Sequence, residues 1–510
     1  MSASARLSLL SVLGFLSSIA SAQDQSLLRS RAADQTKLSL TVYSNGRAMI
    51  RDSRKINFEK GRVFLEFQDV SAQMRAETAQ FKAVSSSADI AVLEQNLEFD
   101  LLSPQKMLEK YLGKSVSIIR THPTNGSETS EPAEVLAVAN GVVLKTKDRI
   151  ETGIPGRLSF SEVPANLRAE PTLSLLVDSK KRGEREVELN YLSDGINWKA
   201  DYIAELNTEE DSTQLTGLVT LTNQSGTSFR NAQLQLMGGD IQTVDRGSYR
   251  SKAMSRTAEM VMAYAAEADS APPNMSSDAF FEYHLYTLPR STSVMSNQTK
   301  QVTMLQAADV ASRKELVFTS SGQNFYNDPS GAFSEEAGEG EGSPDDAELG
   351  APVGGGVFLV FENDKQSRLG MPMPAGTVRV YKKDKNNMSQ FLGEDNIRHV
   401  PEGERVRVRL GSSFDVTARR KRTSFKNVPV TGGLKKVVRS TESGVRVTFK
   451  NAKSKAQKVI FREVIPGEWK ITSSSAEYKK INKDNAEWQV EVPAKGKANL
   501  DYKVQVTLSR

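Results

Sequence analysis

The stretch Leu38-Ser39-Leu40-Thr41-Val42-Tyr43, followed by Ser44-Asn45-Gly46 and by Ala48 to Arg51, decides the fold. Leu38, Leu40 and Val42 alternate with Ser39, Thr41 and Tyr43, the two-residue period of a strand with one apolar and one wet face. Asn45-Gly46 then supplies a turn that admits positive φ, so the chain returns as the second strand of a hairpin. The same period recurs to the end of the chain. Val63, Leu65 and Phe67 carry it, and Ala232, Leu234 and Leu236 carry it against Gln233 and Gln235. Val406, Val408 and Leu410 alternate with Arg405, Arg407 and Arg409, and Val445, Val447 and Phe449 repeat the pattern with Arg446 and Lys450. The expected fold is mainly β and multi-domain: immunoglobulin-like β-sandwich modules with a small inserted β-barrel.

A chain of 510 residues holds three or four domains at ~150 residues each, every one large enough for its own core. Arg6, the apolar run Leu7–Ile19 and Ala20-Ser21-Ala22 form the three parts of a signal peptide, so residues 1–22 are expected to be removed and the protein exported to the periplasm, the envelope or the outside. No second apolar run approaches the ~20 residues of a membrane helix. An N-terminal β domain is expected over 23–102. Ser103-Pro104 reads as the N-cap and first residue of a short helix carrying Met107, Leu108 and Tyr111, and four brief strands after it complete an SH3-like barrel over 103–165. A central β-sandwich part covers 166–245, a linker 246–279, a β segment 280–322, a β continuation 357–425 and a C-terminal β-sandwich 426–510. Between them, 323–356 carries Glu335, Glu336, Glu339, Glu341, Asp345, Asp346 and Glu348 among many glycines, the composition of a disordered acidic loop.

Charge is unevenly spread. The net value is +5, yet Pro401 to Arg510 contains 25 Lys or Arg against 11 Asp or Glu. Arg419-Arg420-Lys421-Arg422 is the densest basic run there, and is the expected contact for an anionic envelope polymer or an acidic protein partner. A solvated face serving solubility is the plainer explanation of such a run. Nucleic acid is not an expected partner, because export removes the chain from it and no aromatic stacking motif accompanies the basic run.

Little in the sequence carries catalysis. The absence of Cys excludes disulfides, thiolate nucleophiles and Cys-ligated metal, and His122, His284 and His399 fall in no metal-binding spacing. No Gly-x-Ser-x-Gly elbow occurs. No cofactor, metal or catalytic residue is assigned. The one stripe that combines an acid, an imidazole and a phenol is Glu282, His284 and Tyr286, within Phe280-Phe281-Glu282-Tyr283-His284-Leu285-Tyr286. It is a low-ranked acid–base or ligand candidate, and an aromatic strand whose polar tips find hydrogen-bond partners explains it as well.

Four strings together carry a resemblance: Leu93-Glu94-Gln95-Asn96 running into Asp100-Leu101-Leu102-Ser103-Pro104, Tyr191 to Tyr202, Leu218 to Gly226, and Phe281 to Tyr286. They resemble a bacterial secreted family catalogued as domain of unknown function 4139, related to the mucoidy-inhibitor proteins but without their coiled coil. What the resemblance implies is an exported β-rich protein with no established activity, cofactor or catalytic residue. The expected function is that of a non-enzymatic envelope protein whose sandwich surfaces serve binding or assembly. The alternative is an envelope glycan hydrolase working through paired carboxylates.

Overall fold

The computed structural model describes residues 26–84, 89–98, 100–139, 141–164, 167–239, 241–242, 274–320, 325, 350–429 and 437–509. The expected signal peptide and most of the expected linker and acidic loop lie outside them; the ends that are described are ordered, with strand Ser276–Phe280 closing the linker and Ala351–Val353 and the start of Gly355–Glu362 closing the loop, which corrects those bounds. Strands dominate the described residues, as the alternation requires, and stack as several open sheets. No helix among them is long and apolar enough to cross a membrane. The chain divides into two compact units, the first of 1–39, 49–194 and 225–229, the second of 40–48, 195–224 and 230–510.

In the first unit, strand Gly61–Gln68 lies between Ser26–Ser30, which runs parallel to it, and Thr172–Ser179, which runs antiparallel and pairs on its other side with Ile90–Glu98. Val63, Leu65 and Phe67 all turn to the interior with no exposed surface, as the alternation requires, while Glu66 on the other face is buried too and is held by Arg29 at 2.8 Å and Arg168 at 3.0 Å. One cation is buried here. Arg54 has no exposed surface and donates to Asp52 Oδ2 at 2.8 Å, to Ser30 O at 2.9 Å and to Gln68 O at 2.9 Å, while its guanidinium lies 3.7 Å from the Phe67 ring centre. A charge is tolerated in such a place only when its donors are all engaged.

The insertion between Ser103 and Leu167 begins as expected. Ser103 Oγ accepts from Lys106 N at 3.2 Å, Pro104 opens the helix Pro104–Lys110, and Met107 and Leu108 are buried. The expected barrel is corrected to an open sheet in the order Ile150–Thr152, Val143–Lys145, Glu128–Ala137, Ser115–Thr121, Arg157–Ser159. Its two outer strands are three residues long and do not pair with each other. The helix does what closure would have done: Met107, Leu108 and Tyr111 pack with Val116, Ile118, Val135 and Leu144 in one apolar cluster.

The second unit is organised by one 23-residue strand, Gln298–Ser320, which changes partners along its length. Its first part pairs with Ser212–Asn223, next to Ile196–Leu206, Gly376–Lys383 and Ser389–Ile397 in turn. From Ser312 onward it pairs with Gly355–Glu362, which in turn pairs with Arg405–Ser412, and from Leu316 it also runs parallel to Gln457–Val464. A further sheet, Ala351–Val353, Val416–Asn427, Val437–Asn451, Lys497–Ser509 and Glu468–Ser474, packs over this end. Phe318, Phe449, Phe461, Trp488 and Tyr502 fill the space between the layers of this sandwich, which draws on strands from 298–320, 351–353 and 416–427 as well as on 426–510.

Lys314 on the long strand and Lys382 both reach Glu210, Lys382 Nζ at 2.7 Å from Oε1. Burial raises the Glu210 carboxyl, but the two ammonium groups outweigh it and hold its pKa at about 2. The unfolded carboxyl titrates near ~4.3, so this contribution to stability is complete above that pH and is lost as pH falls toward 2. Stability of the wild type measured against Glu210→Gln should therefore show a gap that closes across that window. A gap that does not change with pH would contradict the ion pairing.

Candidate functional site

The arginines alternating along Arg405–Ser412 set up the site. Val406 and Val408 are buried on one side of the strand, so Arg407 and Arg409 project from the other. Strict alternation would send Ser412 back to the buried side. A β-bulge prevents this: Val357 pairs with Gly411 and Phe358 with Arg409, which leaves Leu410 as an extra residue. Arg409 and Ser412, three positions apart, consequently border the same cleft.

That cleft has a volume of about 300 Å³ and is bordered by Arg407, Arg409 and Arg462, by the Thr319 and Ser412 side chains and by the backbone of Gly354 to Gly356. No carboxylate lines it among the described residues. Glycine is required at its wall by close approach, because a Cβ on Gly356 would lie 2.7 Å from the Phe358 ring. At Gly354, by contrast, no atom lies within 4 Å of where a side chain would start.

Arg407 is the centre of the arrangement. Its guanidinium carbon stands 3.7 Å from the centre of the Phe358 ring, and the nearest carboxylate, Glu315, is 3.6 Å from Nε. Both Nε and Nη2 are buried and neither makes a hydrogen bond. Burial first, and the Arg462 guanidinium second, hold Arg407 below the ordinary arginine range, with Glu315 and Glu487 opposing them. Arg462 itself donates to Glu487 Oε2 at 2.7 Å. Stacked on one ring and short of acceptors, Arg407 presents the planar fork that matches a carboxylate, sulfate or phosphate.

The residues singled out in the sequence lie elsewhere. Strand alternation divides Arg419-Arg420-Lys421-Arg422 between the two faces of Val416–Asn427. Arg420 turns inward with Val416 and Ala418, donates from Nε to Glu463 Oε2 at 3.0 Å, and shares that carboxylate with the Tyr502 hydroxyl. Burial works against the Arg420 charge, but Glu463 outweighs it and raises the group above its ordinary range. Arg419 donates to Gly350 O at 3.1 Å, Arg422 lies 5.0 Å from the Phe425 ring centre, and Lys421 is exposed.

Of Glu282, His284 and Tyr286, only the last two meet, their ring centres 6.5 Å apart. Glu282 is exposed in a turn, His284 is half-buried, and Tyr286 is buried with its hydroxyl donating to Pro372 O at 3.0 Å. Burial pushes the Tyr286 phenol up, away from any proton-transfer role near neutral pH. Sequence reasoning passed over Arg407, Arg409, Arg462, Thr319 and Ser412. The alternating arginines of 405–409 were in view, but as the mark of a strand and not of a surface.

Fold and cleft together define a multi-sheet β protein with a cationic cleft across four neighbouring strands of one sheet. Residues 187–510 match the family described as Domain of unknown function (DUF4139), and the chain belongs to that family. The whole cleft falls within the matched residues. No curated protein matches the chain.

The two kinds of arginine separate in a stability measurement. Arg420→Gln leaves Glu463, which has no exposed surface, without its cation and should cost about 3–5 kcal/mol in urea unfolding. Lys421→Gln should stay within about 0.5 kcal/mol. Equal costs would contradict the division of the run by strand alternation.

Proposed function

We propose that this is an exported protein of the cell envelope that binds anionic groups, through the Arg407 cleft, in a binding or assembly role and not a catalytic one. The observation that carries this is Arg407 itself, whose buried Nε and Nη2 make no hydrogen bond beside two further arginines. Leaving buried donors unmade costs about 1–3 kcal/mol each, a cost that an arriving anion relieves once the guanidinium, part of which is already exposed, shifts toward the cleft. The C-terminal excess of basic residues draws anions toward the same region. Export is supported by the pattern of Arg6, Leu7–Ile19 and Ala20-Ser21-Ala22.

Titration with inorganic sulfate at low ionic strength, followed by calorimetry, tests the reading. Arg407→Gln should weaken sulfate binding about tenfold to a hundredfold, the loss of one or two charge-assisted hydrogen bonds at ~1.5–3 kcal/mol. Its unfolding free energy should change by no more than about 1 kcal/mol, because two of the donors it removes are already unsatisfied and what is lost is the stacking on Phe358 and the 3.6 Å approach of Glu315. Arg419→Gln serves as the control for lost charge. Equal losses from the two variants, or no sulfate binding by the wild type, would reject the cleft as an anion site.

A further inference from the structure

We infer that the anion belongs to an unbranched acidic polysaccharide lying along strand Arg405–Ser412, an inference that rests on the anion-binding reading of the Arg407 cleft and extends it. A second cavity, of about 750 Å³, shares Arg407 with the first and is bordered also by Asn396, Arg398, His399, Glu404 and Arg405. The two cavities together are bordered by five arginines, 398, 405, 407, 409 and 462, and by the carboxylate of Glu404, with Glu362 on Arg405 at 2.9 Å and Glu487 on Arg462 at 2.7 Å each taking one donor from outside the lining. Arg405, Arg407 and Arg409 leave the same side of the strand at every second residue, so their backbones are spaced by ~6.6 Å and the three span ~13 Å. A small anion meets one of them. A chain that repeats an acid group meets several, each further contact being made at high effective concentration.

The edge of the strand narrows the class of polymer. Arg405–Ser412 pairs with Gly355–Glu362 on one side, and on the other the Arg409 N–H donates to Asp395 Oδ2 at 2.9 Å. The edge still open therefore ends at Arg407, short of the about five to six residues over which a peptide adds itself as a strand. What remains for recognition is side chains: guanidinium forks, the Asn396 amide, and the Thr319 and Ser412 hydroxyls. His399 Nδ1 accepts from Ala375 N at 3.2 Å, which leaves the other ring nitrogen to donate. Donors of both charged and neutral kinds suit carboxylates spaced by sugar hydroxyls better than a run of carboxylates alone.

Three probes at matched ionic strength test this: galacturonic acid, a linear oligogalacturonate long enough to span both cavities, and poly-glutamate of the same charge. The oligomer should bind at least about tenfold more tightly than the monomer. The double variant Arg398→Gln with Arg405→Gln should lose most of that gain and keep monomer binding within about twofold. Both side chains are exposed, and Glu362 retains Arg313 at 3.5 Å when Arg405 is replaced, so the fold is not at stake. An oligomer no tighter than the monomer, a double variant that keeps the gain, or poly-glutamate bound as tightly as the oligomer would each overturn the inference. Sulfate binding that depends on Arg407 alongside any of those results brings down the polysaccharide alone; no binding of sulfate or of any probe brings down the cleft as well.

Discussion

The two-residue alternation of side chains along a strand is the constraint on which the rest of this structure depends. It places Val63, Leu65 and Phe67 in the interior of the first unit, and Val406 and Val408 in that of the second. The same rule turns Arg407 and Arg409 away from Val406 and Val408, so the two arginines share a face without any further device. It also takes apart the densest basic run of the chain, sending Arg420 to the core and Lys421 to solvent. One local exception matters. The bulge at Leu410 resets the phase, and Ser412 joins the arginines that strict alternation would have kept from it.

Arg54, Arg420 and Arg407, with 0%, 15% and 28% of their side chains exposed, have two kinds of surroundings, and the difference separates structure from function. Arg54 and Arg420 each lie against a buried carboxylate, Asp52 and Glu463. Removing either partner would strand a charge, which makes these pairs part of the fold. Arg407 has a ring beneath it and a carboxylate at 3.6 Å, but two of its donors have no acceptor. A side chain whose hydrogen bonds are completed within the chain has nothing to offer a partner. One whose donors are ordered yet unmet is prepared for an anion, with the ordering already done before binding.

Periodicity made the fold class legible because burial follows it directly, from Leu38, Leu40 and Val42 onward. The helix at Ser103-Pro104 was legible for the same kind of reason, since its cap and its first residue are local chemistry. Closure of the inserted sheet was not, because it depends on whether strands distant in sequence meet, and the three-residue strands at 150–152 and 157–159 do not. The site was harder still. Linear density of charge favoured Arg419 to Arg422, whereas charge density in space comes from Arg407, Arg409 and Arg462 on two different strands. The one clue available was Gly411 after three alternating arginines, since a glycine inside a strand marks a bulge.

The proposed site holds the Arg407 guanidinium ready for an external anion. Hydrogen exchange at its Nε–H, followed by nitrogen-15 NMR as sulfate is added, tests this most directly, with Arg420 as the internal reference because Glu463 already engages it. The Arg407 signal should shift and its exchange slow as the anion occupies the fork, while the Arg420 signal stays unchanged. An Arg407 signal indifferent to sulfate, or one that moves no more than that of Arg420, would contradict it.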